Sequence, residues 1–129
     1  EVTFKTLFKK YKNLSNLPSN IFLSNDELEN DIRKSNWVLY RGSSAVLKSI
    51  SFGLRPLYLE RKNEMTIDPL FKMKTWKKII SKPYDLITVI TNDINNNFIY
   101  HKKHIKFSRS FCKKQFSNLQ IDELYNLLN

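Results

Sequence analysis

Between Trp37 and Leu59 the chain runs through a short apolar stretch, a short amphipathic stretch and a second apolar stretch, an order that few folds accommodate. Trp37-Val38-Leu39-Tyr40-Arg41 is nearly continuous in apolar character, the pattern of a strand buried on both faces. Gly42-Ser43-Ser44 breaks it. Residues 44–52 then carry Val46, Leu47 and Ile50 at helical spacing, with Gly53 at the position past a helix end that favours a left-handed residue. Leu54 to Leu59 reads as another buried strand, with Pro56 tolerated near its start. Upstream, Ile21-Phe22-Leu23 is a short strand candidate within 20–24. Ser24-Asn25-Asp26-Glu27 reads as a capping box opening a helix over 25–35, with Leu28 and Ile32 turned inward. Three strands separated by two short helices predict a βαβαβ unit, whose right-handed crossovers give a small parallel, Rossmann-like sheet.

The flanking sequence is read as helical. Leu7, Phe8, Tyr11 and Leu14 share one face across Phe4–Leu14. After Glu60 the chain is irregular and polar through Asn63, Glu64 and Asp68-Pro69, and helical patterns resume over Met73–Ile80 and from Tyr84 onward. Pro83 ahead of Asp85 suits a helix start. Ile87-Thr88-Val89-Ile90 fits either a strand or a helix, and periodicity leaves residues 85–91 open between them. Leu124, Leu127 and Leu128 lie on one side of a terminal helix over Ile121–Leu128. The expectation is a single α/β domain over residues 1–129, with a Rossmann-like core at about 20–60 and a helical extension at about 70–129.

Composition narrows the classes. With 129 residues, 41% of them hydrophobic and 26% charged, the chain falls in the globular range. No run approaches the roughly eighteen apolar residues of a membrane span. A single cysteine, Cys112, excludes an internal disulfide framework and a cysteine-rich zinc module. The start at Glu1 reads as an excision from a larger two-domain protein. The formal charge is +10, and eleven Lys and Arg stand between Lys72 and Lys114 against Asp85 and Asp93 alone. A field of that sign favours polyanions: nucleic acid, acidic headgroups or phosphorylated small molecules. The location this implies is cytoplasmic, with contact at the inner face of the cell membrane as an option.

The chemistry converges on one turn. A buried strand ending at Arg41 delivers Gly42, Ser43 and Ser44 to the carboxyl edge of the sheet, where open α/β sheets bind ligands. A helix opening there presents backbone N–H groups, two hydroxyls and the positive end of its dipole, a cradle for an anion. Arg41 adds a charge at the rim, and the competing assignment is a plain turn with a serine cap. Elsewhere the signals are weaker. His101 and His104 share a helical face, but no third ligand is near and Lys102, Lys103 and Lys106 repel a cation, so no metal site is assigned. Cys112 among Arg109, Lys113 and Lys114 has no base partner and reads as packing. The G-x-S-x-G elbow, the Walker A loop and the G-x-G-x-x-G fingerprint are all missing.

The segment from Tyr40 to Leu59, with its serine pair, short helix and Gly53-Leu54-Arg55-Pro56 strand entry, resembles the C-terminal domain of GT-B glycosyltransferases. The likeness is to bacterial surface-polysaccharide and sialyltransferase-like members, and it covers residues 20–60. It implies that Arg41, Gly42, Ser43, Ser44 and Ala45 hold the phosphate of a nucleotide-sugar donor. Ser24, Asn25, Lys48 and Glu60 become candidates for base or sugar contacts. Lys48 departs from the pattern, since many such enzymes place a donor-binding glutamate there; a lysine suits a second phosphate or a carboxylated sugar. The resemblance also implies that the catalytic base and the glycan or glycolipid acceptor belong to a preceding N-terminal domain. No catalytic residue and no cofactor is therefore assigned to this chain, which is expected to bind donor but not to turn over. Two other classes compete. Basic and aromatic residues interleaved from Phe98 to Lys114 suit a nucleic-acid surface, although Phe107 and Phe111 at helical spacing read more simply as core. A non-catalytic interaction domain is the third.

Overall fold

The computed structural model describes residues 19–65 and 67–115. They carry, in order, α1 (Leu28–Arg33), β1 (Trp37–Tyr40), α2 (Ala45–Ser51), β2 (Arg55–Leu59), β3 (Lys78–Ile80), α3 (Pro83–Asn95) and α4 (Ile99–Gln115). The helical patterns read over Phe4–Leu14 and Ile121–Leu128 lie outside the described residues. The chain divides into two compact units between Asp31 and Ile32, and the sheet belongs wholly to the second.

The α/β class with a small parallel sheet holds. Its strand order is β1-β2-β3, with Trp37 paired to Arg55, Tyr40 to Tyr58 and Leu59 to Ile80. The third strand is not the one expected. Residues 21–23 are irregular and exposed, with Phe22 81% accessible, and they pair with no strand among the described residues. β3 comes instead from the stretch read as a helix over Met73–Ile80. Met73, Trp76 and Ile80 are all buried at a spacing that imitates a helical face. Residues 69–72 turn, and only Lys78-Ile79-Ile80, with its β-branched pair, adds to the sheet. The helix expected over 25–35 is shorter, and residues 85–91 are helical.

Two local devices fix the β1-α2-β2 unit. Gly53 N–H donates to Ile50 C=O at 3.0 Å and Leu54 N–H to Ser49 C=O at 3.2 Å, the paired bonds of a Schellman cap. This requires Gly53 at φ +99°, where an added Cβ would lie 3.0 Å from Ile105 Cδ1 on α4. Pro56 sits in the central strand without breaking a ladder. Arg55 N–H donates to Asn36 C=O on the β1 side, so the next residue faces β3, whose pairing begins only at Leu57. β1, expected to be buried on both faces, is an edge strand with Leu39 exposed.

α2 packs on α4, and the core combines Tyr40, Val46, Ile50, Leu70, Met73, Trp76 and Cys112. At the amino edge of the sheet a charge replaces apolar packing. Asp93 is the buried residue of α3, and it takes an ion pair from Arg55 and a hydrogen bond from Trp37 Nε1 at 2.8 Å. α3 opens on Pro83, with Asp85 accepting the amides of Ser81 and Lys82 at 3.0 and 2.9 Å. Asn97 and Phe98, at φ 48° and 55°, turn the chain into α4.

Candidate functional site

Because Tyr40 pairs with Tyr58 and Leu59 with Ile80, the residues leaving the three strands start side by side at the carboxyl edge. They are Arg41 and Gly42 after β1, Glu60 after β2 and Ser81 after β3. Gly42, at φ 76°, makes the turn that sends the chain into α2, and Gly42, Ser43 and Ser44 are all exposed.

The mouth of α2 differs from the sequence expectation. Ser44 adopts helical angles (φ −67°, ψ −18°) instead of the extended geometry of a capping residue, and its side chain caps nothing. The first turn tightens accordingly. Val46 N–H donates to Ser43 C=O at 3.4 Å, Leu47 N–H to Ser44 C=O at 3.0 Å and Ala45 N–H to Ser43 Oγ at 3.3 Å. The amides of Ala45, Val46 and Leu47 are thus engaged by the chain itself, and of the residues expected to hold an anion it is Ala45 whose N–H is taken. The amides of Ser43 and Ser44 donate to no group among the described residues, and Ser43, accepting through Oγ, keeps its O–H as a donor.

Arg41 is also engaged. It forms an ion pair with Glu64, which Arg61 approaches at 3.5 Å, and the hydrogen bond from Arg41 holds the Glu64 carboxyl below its ordinary range. The rim charge expected from sequence is therefore answered by the loop that follows β2. That loop is fastened by Asp68, which accepts Tyr40 O–H at 2.8 Å, Leu70 N–H at 2.8 Å and the Lys77 ammonium. Burial pushes the Asp68 carboxyl up, but the bonds from Lys77, Leu70 and Tyr40 outweigh it and leave it below the usual value. Burial and Asp68 together drive the Tyr40 phenol well above its ordinary range.

Glu60 accepts Ser81 O–H at 2.6 Å, which ties the ends of β2 and β3 together. Lys48 is exposed one turn into α2. Ser24, in the first unit, donates to Asp31 at 2.8 Å and accepts Asp26 N–H at 3.1 Å, and Asn25 beside it is exposed. The sequence reading missed Ser81, Glu64 and the Tyr40–Asp68–Lys77 network. Asp68-Pro69 marked a turn, but only the folded chain brings its carboxylate to Tyr40. Among the described residues no group of three or more His, Cys, Asp or Glu is placed to hold a metal, and no helix is long and apolar enough to cross a membrane. Comparison with protein-family models, curated proteins and solved structures finds no match.

Proposed function

We propose that this chain is the donor-binding half of a glycosyltransferase that builds capsular or lipopolysaccharide-type surface carbohydrate from a nucleotide sugar. The observation that carries this is the solvent-open Gly42-Ser43-Ser44 turn at the carboxyl edge of a parallel sheet, the edge where such sheets take nucleotides. Its phosphate donors are the amides and hydroxyls of Ser43 and Ser44, with Lys48 as the cation one turn on. Ala45 N–H joins only when Ser43 Oγ lets it go, and Arg41 only when Glu64 does. In the transfer the bond from the sugar to the donor phosphate breaks while these groups neutralise the leaving phosphate. The acceptor and the base come from an N-terminal domain.

The basic residues supply a second partner. Lys102, Lys103, Lys106, Arg109, Lys113 and Lys114 are exposed on α4, which contains no acid. A nucleic-acid surface needs rings for bases to stack on. Phe111 instead packs against the core, and Phe98 lies tilted against Trp37 and edge-on to His101. Phe107, read from the sequence as core, is exposed at 45% and, among the described residues, is a single ring amid these charges. Dense charge with one exposed ring favours an acidic lipid surface over a run of stacked bases.

Titration with UDP, GDP and CMP, followed by amide chemical shifts, tests the donor site. One nucleotide is expected to move residues 41–45, and Ser43→Ala with Ser44→Ala to weaken it roughly thirtyfold, about 1 kcal/mol for each of the two contacts. Unchanged affinity in the double variant, or no nucleotide binding at all, overturns the assignment.

A further inference from the structure

A cavity of about 500 Å³ opens at the amino edge of the sheet, the end opposite the Gly42-Ser43-Ser44 turn. Its floor holds Arg55 and Asp93, and Lys78 at the start of β3 stands on its wall. Thr88 and Asn92 on α3 and Asn96 at its C-terminal cap, spaced four apart, run a polar row along one side, and Trp76 and His104 close another. Thr88 O–H donates to Tyr84 C=O at 2.9 Å and Asn96 Nδ2 to Asn92 C=O at 2.7 Å, so that Thr88 Oγ1 and Asn96 Oδ1 remain as acceptors.

Stability alone does not call for this composition. A buried ion pair contributes little over well-packed apolar residues of the same volume, and Asp93 is fully buried. The pair does give the cavity a floor of fixed polarity. Asp93 cancels the charge of Arg55, so Lys78 is the net charge of the lining. Burial, then Lys103 and Arg55, hold His104 below the ordinary histidine range, which leaves its ring neutral at pH 7. The Trp76 indole N–H is buried with no acceptor, although the ring itself is held by His104 stacked at 4.7 Å and Arg55 at 5.0 Å. The lining therefore offers one uncompensated positive charge with neutral amides and hydroxyls around it. We infer that this cavity binds a small polyhydroxylated monoanion, its carboxylate or phosphate on Lys78 and its hydroxyls on Asn92, Asn96 and Thr88. The site is separate from the donor turn and stands whether or not that assignment does.

The chain has two tryptophans, Trp37 and Trp76, and both belong to this cluster, so intrinsic fluorescence reports on it directly. The whole chain is titrated with sodium glucuronate, inorganic phosphate and glucose. A saturable change is expected with glucuronate or with phosphate, the responding arm identifying the head group, and none with glucose at equal concentration. Lys78→Gln, at an exposed position that folding tolerates, is expected to weaken binding roughly tenfold. Asn92→Leu is expected to weaken it as well, while Ser43→Ala with Ser44→Ala leaves it unchanged. No saturable response to either anion, equal binding of glucose, or full affinity in Lys78→Gln overturns the inference.

Discussion

Arg55 and Asp93, thirty-eight residues apart in sequence, meet as a buried ion pair in which the carboxylate is wholly shielded from solvent. Breaking one side of such a pair leaves the other charge stranded in a poorly solvating interior. Asp93→Asn is therefore expected to lose about 3–5 kcal/mol in urea unfolding. Replacing both partners, Arg55→Met with Asp93→Leu, should recover most of that loss, because no stranded charge remains. A single variant within about 1 kcal/mol of the parent would show that the pair is not needed for folding.

The two glycines of the chain both hold positive φ, but for separable reasons. Gly42 is exposed, so Gly42→Ala reports mainly the backbone term, about 1 kcal/mol. Gly53→Ala adds crowding against Ile105 and is expected to cost more, about 2–3 kcal/mol. Thermal or denaturant midpoints of the two variants decide it. Equal losses would mean that Ile105 yields without cost.

What could be read from the sequence was what neighbouring residues decide among themselves. Gly53 and Leu54 end α2 through bonds to residues three and five positions back, and Pro83 with Asp85 opens α3 within four residues. The choice of helix over strand at 85–91 followed from that start, which periodicity alone could not weigh. The failures are of another kind. Whether Ile21–Leu23 becomes a strand depends on a distant partner, and Met73, Trp76 and Ile80 satisfy a helical spacing while serving a turn and an edge strand. At the candidate site, residue identity placed Ser43 and Ser44 at the carboxyl edge of the sheet, where the folded chain has them. The use of the Ala45–Leu47 amides depends on the backbone angles of Ser44, and the pairing of Arg41 depends on where the loop after β2 lands. Neither is written in residue types.

Membrane contact through α4 carries its own expectation. Lys103→Gln, Lys106→Gln and Lys113→Gln together remove three exposed charges, at about 1 kcal/mol each near an anionic surface. Arg109 is left in place because its Nε donates to Ser51 C=O at 3.1 Å. Co-sedimentation with phosphatidylserine vesicles should fall by about two orders of magnitude and should weaken with salt in the parent chain. Equal binding to phosphatidylcholine vesicles would exclude an electrostatic contact.

The Tyr40–Asp68–Lys77 network sets the acid limb of stability. Asp68 titrates lower in the folded chain than in the unfolded one, so its contribution is present above about pH 4 and is lost as pH falls through the folded value. Asp68→Asn should flatten the stability profile below pH 4 while lowering the plateau above it. A variant that keeps the parent's acid limb would assign that limb to other carboxylates.

His101 and His104, the only histidines, govern a second window. Burial lowers both; for His101 the neighbouring Asp93 carboxylate, 3.5 Å from Nε2, offsets part of the effect without reversing it. Each folded value thus lies below the ordinary 6.5, so the unfolded chain takes up protons first as the solution is acidified. Stability is full above about pH 6.5 and declines as pH falls below it, the reverse of a histidine held by a gained ion pair. The ring C–H resonances of the two residues should titrate with midpoints under 6.5, and the unfolding midpoint should drop between pH 7.5 and 5.5. His104→Gln should reduce that drop while keeping a flat side chain against Trp76. Histidine midpoints at or above 6.5 would mean that Asp93 dominates over burial, and the pH dependence would then change sign.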